Sequence, residues 1–259
     1  MPTIDDSKCI LVTGATSGIG RSLALALAQL PNKPTVVGAG RRKERLEELT
    51  KADLEAFPLE LGTDFDALKK SVDELLEKYP NLDAVILNAG IQNHFNFKTG
   101  VDLSEITHEL AVNYTSVVAF ASFVLPHFLK LSEAGQPAFF IMVTSGLSII
   151  PGPFAPNYSA SKAATHSITT VMRAQLSDTN IRIIEIIPPH GLTNMLSKFW
   201  MPLEEYTKLT IQDLRDGKDV ICASVSQQYF DKHEDGKYQI VLEQTKPWET
   251  WDEDRNRKL

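Results

Sequence analysis

The chain has 259 residues, 43% hydrophobic and 23% charged, which is enough for one sizeable core and a single α/β domain. A formal charge of −7 and a pI near 5.4 argue against nucleic-acid or anionic-membrane partners, since either requires a basic face. Cys9 and Cys222 are the only cysteines and lack metal-ligand spacing, which speaks against a disulfide framework and fits a reducing compartment.

The first eight residues carry no basic head followed by an apolar run, as a targeting peptide would. The longest apolar runs, such as residues 138–143, are strand-length and too short to cross a bilayer. A soluble, cytoplasmic protein is expected.

Residues 9–13 read as a short apolar strand that enters a glycine-rich turn. Ile19, Leu23, Leu27 and Leu30 follow at helical spacing, so the first unit is strand, turn, helix. Gly14, Gly18 and Gly20 let the backbone approach a pyrophosphate and leave helix N–H groups pointing at it. A second strand, 35–39, leads into Gly40-Arg41-Arg42-Lys43, where a helix to about Thr50 begins with three cations. Cations at a helix N-terminus oppose its dipole, and a nearby anion resolves the conflict.

A third strand spans about 55–60. The next helix carries Leu68, Val72, Leu75, Leu76 and Tyr79 as its apolar stripe, and Pro80 stops it. The strand at 82–87 ends in Asn88-Ala89-Gly90, and a long helical pattern from Ser104 to about Leu131 contains Asn113. The fifth strand, 138–143, ends at Thr144-Ser145.

A helix from Pro156 to about Ser177 places Tyr158 and Lys162 on one face, one turn apart. An ammonium held close to a phenol favours the phenolate and lowers the tyrosine pKa towards neutrality. A strand at 181–187 is stopped by Pro188-Pro189. Further helix is expected over 209–230, a last strand over 238–242, and an irregular tail from about 246 to 259. Repeated strand-helix units imply a Rossmann-like, doubly wound parallel sheet with the ligand at the carboxyl ends of the strands.

Thr13-Gly-Ala-Thr-Ser-Gly-Ile-Gly20, Leu87-Asn-Ala-Gly90, Asn113, Ser145 and Tyr158-x-x-x-Lys162 resemble, in order and interval, the motifs of the short-chain dehydrogenase/reductase family. The resemblance covers roughly residues 8–200. It implies hydride transfer between a nicotinamide and a carbonyl or alcohol. Gly14, Thr16, Ser17, Gly18, Ile19 and Gly20 would hold the dinucleotide. Asn88, Ala89 and Gly90 would support the adenosine ribose region, and Glu60 would lie beside the adenine. Pro188 and Thr193 would border the nicotinamide.

The same resemblance makes Tyr158 the general acid and base, with Ser145 holding the developing alkoxide. Lys162 would bind the nicotinamide ribose, and Asn113 would hold a water that links the lysine to solvent. It also implies a substrate lid at about 192–216, with Leu196, Phe199, Trp200, Met201 and Tyr206, over an apolar small-molecule substrate; ordinary core is the alternative for these residues. A homodimer or homotetramer is expected through Val117, Phe120, Val124, Val171 and Met172.

NADP(H) is the expected cofactor, because Gly40 stands where an NAD-binding unit carries an acidic residue and Arg41 offers a phosphate-binding fork. No metal is expected, and His94 and His190 should border the pocket. The family pattern is broken by Leu87 in place of Asn, by Pro189 in place of Gly, and by the missing Gly-Gly ending. These departures leave room for a non-reductive step such as epimerisation or cyclisation. A non-catalytic NADP(H)-binding regulator is the alternative outside enzymology.

Overall fold

A computed structural model describes residues 1–62, 64–189 and 201–244. Seven strands form one parallel sheet in the order β3-β2-β1-β4-β5-β6-β7. In chain order these are β1 (Cys9–Thr13), β2 (Thr35–Gly40), β3 (Glu55–Pro58), β4 (Ala84–Leu87), β5 (Ala138–Val143), β6 (Ile181–Ile187) and β7 (Val220–Cys222). The order reverses between β1 and β4, and that switch point opens a crevice at the strands' carboxyl ends.

Strand side chains alternate between the two faces, so neighbouring residues feed different cores. Ile10, Val12, Phe139 and Ile141 join one apolar cluster with Leu23 and Leu27 of α1 (Gly18–Leu27) and Leu46 and Leu49 of α2 (Lys43–Thr50). Leu11, Phe140 and Met142 join the other. They meet Leu68, Val72 and Leu75 of α3 (Phe65–Lys78), and Phe120, Val124 and Phe128 of α5 (Ser116–Glu133). Central strands buried on both faces explain why the sequence shows continuous apolar runs there instead of alternation.

The long helical pattern is two helices. α4 (Leu103–Leu110) and α5 are joined by a π-helical turn, Ala111–Thr115, which carries Asn113. Together they form a helical stretch, Leu103–Glu133, long and apolar enough to cross a membrane by length and composition. This corrects the expectation of strand-length apolar runs only. Its apolar face is spent on the sheet: Val117, Phe120 and Val124 are fully buried core, so they are not free for a subunit interface.

The C-terminal third also departs from expectation. α6 (Pro156–Gln175) is followed, beyond β6, by α7 (Leu203–Arg215), β7 and α8 (Val225–His233), so a short strand interrupts the helix expected over 209–230. Residues 237–244 are helical where a last strand was expected. Met201 and Tyr206 pack into the core beside α1 and do not form a lid. Leu196, Phe199, Trp200, Thr193, His190 and the tail from 246 lie outside the described residues.

Candidate active site

The glycine-rich turn is held by Thr13 and Asn88. The Thr13 hydroxyl accepts from the main-chain N–H groups of Asn88 (3.0 Å) and Ala89 (3.1 Å). The Asn88 amide donates back to the Thr13 carbonyl at 3.0 Å. Gly14 has φ +67°, and a Cβ there would stand 2.8 Å from the Ala89 Cα. At Gly20 a Cβ would meet the Asn88 Nδ2 at 2.3 Å. Only glycine lets α1 start this close to the end of β4.

Ser17 precedes α1 without capping it. Its hydroxyl instead accepts from Arg42 Nη2 at 2.9 Å, and the same nitrogen donates to Thr16 Oγ1 at 2.7 Å. Arg41 lines the cavity as expected, but Arg42 is the cation joined to the turn. The sequence signal was the cation run itself, and only the backbone path out of β2 decides which side chain faces the turn.

From here a cavity of about 830 Å³ runs to Ser145, Tyr158 and Lys162. Its wall includes Gly14, Thr16, Ser17, Gly18, Ile19, Arg41, Asn88, Ala89, Gly90 and Pro188. Two expected contacts fall elsewhere. Glu60 is exposed and its neighbours Leu59 and Leu61 line the wall, while Gly20 packs on Asn88 behind it. His94 borders the cavity, with Nδ1 2.9 Å from the Phe154 carbonyl, and Pro189 borders it too.

Tyr158 and Lys162 lie on the first turns of α6, which begins at Pro156, a residue pre-set for a helix start. Ser145 stands just past β5, and its Oγ accepts from the Leu147 N–H at 3.2 Å. Lys162 is buried and donates to the Val143 carbonyl at 2.8 Å. Asn113 is fully buried: its side chain exchanges bonds with the Ile91 main chain at 2.8 and 2.9 Å and donates to Ser161 Oγ at 3.0 Å. The Asn113 carbonyl accepts from Thr165 Oγ1 at 3.0 Å. A π turn shifts the local hydrogen-bond ladder, and such turns concentrate at functional sites.

The electrostatics differ from the sequence expectation. Burial pushes the Tyr158 pKa up to about 12, opposed by the Ser145 hydroxyl and reinforced by the Glu109 carboxylate. Burial lowers Lys162 to about 8. The Lys162 Nζ lies 5.8 Å from the Tyr158 ring centroid, and its proximity does not outweigh the loss of water.

Sequence reasoning missed two buried groups behind this end. Glu109 on α4 is fully buried. It sits one turn before Asn113, on the same face, which is the signal that would have found it. His166 on α6 lies 2.8 Å from Glu185 and 3.1 Å from Glu234, and Thr144 Oγ1 donates to Glu185 at 2.6 Å. That cluster joins elements far apart in sequence, so no local pattern announces it. Among the described residues no group of His, Cys, Asp and Glu is arranged to hold a metal.

A parallel sheet with a glycine-built cradle at its switch point defines a dinucleotide-binding, Rossmann-like protein. The short chain dehydrogenase family model matches residues 8–202. The chain is 33% identical over 230 residues to the uncharacterized oxidoreductase DltE of Bacillus subtilis (strain 168), covering 83% of this chain and 87% of that one. It is 30% identical over 201 residues to a 3-oxoacyl-(acyl-carrier-protein) reductase of Thermotoga maritima, covering 74% and 78%. The Pseudomonas aeruginosa RhlG/NADP active-site complex matches its fold with a TM-score of 0.75 at 22% identity, covering 86% and 98%. The chain belongs to the short chain dehydrogenase family, oxidoreductases that bind a nicotinamide cofactor and act on small molecules.

Proposed function

We propose that this protein is an NADP(H)-dependent reductase of apolar carbonyl compounds, or the reverse dehydrogenase, with Tyr158 as general acid and base. The observation that carries this reading is one cavity with two different ends. Arg41, Arg42, Thr16 and Ser17 lie at one, and Ser145, Tyr158 and Lys162 at the other. The cradle fits a dinucleotide because Gly14, with no side chain, lets the turn pack on Ala89 while its main chain and that of Gly18 stay on the cavity wall. The Arg41 and Arg42 guanidiniums would hold a 2′-phosphate, which gives the cations ahead of α2 their compensating anion.

When bound, the nicotinamide supplies or accepts the hydride. The Tyr158 phenol, protonated at neutral pH, donates its proton to the carbonyl oxygen. The Ser145 hydroxyl hydrogen-bonds that oxygen as charge develops on it. With a pKa near 8, Lys162 is mostly an ammonium at pH 7, and its charge favours the tyrosinate left behind. Asn113 fixes the Ile91 main chain and the π turn behind the lysine. The wall at the Tyr158 end includes Leu147, Phe154 and Pro189, with Ile91 beside them, which suits an apolar carbonyl.

The test is turnover of a panel of ketones and aldehydes with NADPH and with NADH, followed by cofactor absorbance. Consumption of NADPH with an apolar carbonyl, faster than NADH, is expected. Tight NADPH binding with no turnover across the panel overturns the enzyme reading in favour of a cofactor-binding regulator.

A further inference from the structure

Glu109 has no role in the steps above, yet it is a carboxylate buried completely beside them. Burying a charge is costly unless hydrogen bonds compensate, so its partners indicate what holds it there. Oε1 accepts from the Asn93 main-chain N–H at 3.0 Å, and Oε2 accepts from the Asn157 side-chain amide at 2.7 Å. Both oxygens act as acceptors, as those of a carboxylate do. The same Asn157 amide reaches the Ile106 carbonyl of α4 at 3.2 Å.

Each partner bears on the site. Asn157 directly precedes Tyr158 in the first turn of α6, so its amide pins that turn to α4. Asn93 lies between Gln92 and His94, both of which line the cavity. One carboxylate therefore ties together the helix that carries the tyrosine and the wall that faces the substrate.

We propose that Glu109 is a positioning residue for Tyr158, holding the tyrosine turn through Asn157 and the facing wall through Asn93, and acting on the phenol by its negative charge. The proposal rests on the reading of Tyr158 as the proton donor. Among the described residues, the titratable and charged groups at the Tyr158 end are Lys162 from α6, Glu109 from α4 and, on the cavity wall, His94. Glu109 is the sole anion among these. Its charge opposes tyrosinate formation, in the direction opposite to Lys162. Removing it should therefore lower the Tyr158 pKa. In the reductive direction, which needs the phenol protonated and Lys162 charged, loss of the anion should move the alkaline limb of kcat to lower pH through either group, and the Tyr158 resonance tells the two apart.

The experiment compares the wild type with Glu109→Gln, which keeps the shape and one of the two acceptor oxygens but removes the charge, and with Glu109→Asp, which keeps the charge. Two readouts are taken. The first is the alkaline limb of reductive kcat on whichever carbonyl is turned over. The second is the ¹³Cζ resonance of Tyr158, found among the six tyrosines as the one missing in Tyr158→Phe.

Glu109→Gln should shift the limb down by about half a pH unit to one unit, and its Tyr158 resonance should begin to titrate earlier. Glu109→Asp should leave the limb in place. Asn157→Ala should lower kcat while the KM for NADPH stays unchanged. An unmoved limb and an unmoved resonance in a folded Glu109→Gln overturn the proposal. The resonance needs no substrate, so a shift without turnover of any carbonyl would sink the reductase reading and leave the Glu109–Tyr158 coupling standing.

Discussion

At the end of the cavity proposed to face phosphate the site is made of main chain and exposed cations, whereas at the end proposed to transfer the proton it is made of largely buried side chains held by other buried side chains. Gly14 and Gly20 act by having no Cβ, and Arg41 and Arg42 remain solvent-exposed. By contrast Asn113 and Glu109 are fully buried, and Lys162 and Ser145 nearly so. Exposed cations contribute modestly. Groups out of water have their proton affinities moved, upward for Tyr158 and downward for Lys162. The two ends should therefore fail differently when altered.

The largest effect is expected at the proton end. Tyr158→Phe removes the donor without changing the ring and should cost ~10²- to 10⁴-fold in kcat, the range for a lost general acid. The Kd for NADPH, set mainly at the other end, should change by less than about twofold, within the range of a surface change. Near-normal turnover, or loss of cofactor binding in parallel, would erase the distinction between the ends.

A second effect tests whether buried side chains really hold this end. Burial alone would depress the His166 pKa, but its bonds to Glu185 and Glu234 override that and raise it to about 9. A folded-state value above the ordinary 6.5 means that the stabilisation is fully present below about pH 6.5 and is lost as pH rises through about 9. At 1.36 kcal/mol per unit the contribution is on the order of 3 kcal/mol. Urea midpoints measured from pH 6 to 10 should fall more steeply in the wild type than in His166→Gln. Parallel curves would show that the imidazolium does not clamp α6 to β6 and α8.

The same contrast explains what was legible in the sequence. Glycines at fixed intervals between a strand and a helix reveal the phosphate end, because the chemistry there follows from absent side chains. The strands were legible as apolar runs of strand length, since both faces of the sheet are covered. Tyr158 and Lys162 were legible through their helical spacing.

The support behind them was not. The π turn around Asn113 changes only which carbonyl each N–H meets, and no composition marks it. β7 has three residues, too few for a pattern. Residues 238–242 carry a strand-like apolar run yet are helical, because no sheet edge takes them up. Tyr206 has the aromatic character of a lid residue, but α7 packs it against α1. For Tyr206 a long-range contact decided what local character could not.

The smallest effect separates the two arginines at the phosphate end. Arg41 directly follows β2, where sequence reasoning placed the phosphate contact, but Arg42 is the side chain that bonds Thr16 and Ser17. Both bonds pass through Nη2, leaving the opposite edge of a five-donor fork for another acceptor. A hydrogen bond to a charged group contributes roughly 1.5–3 kcal/mol when well shielded. Exposure places the expected loss near the bottom of that range. Arg42→Ala should raise the Kd for NADPH by about tenfold with kcat intact, and leave the Kd for NADH within about twofold. Arg41→Ala should have a smaller effect in the same direction. An acidic replacement at Gly40 is a poorer probe, because its Cβ would stand 2.6 Å from the Thr16 Cγ2 and disturb the turn sterically as well as electrically. If Arg41→Ala costs tenfold and Arg42→Ala nothing, the phosphate contact belongs to Arg41. If neither variant distinguishes NADPH from NADH, this end does not select the 2′-phosphate, and the assignment of NADP(H) falls with it.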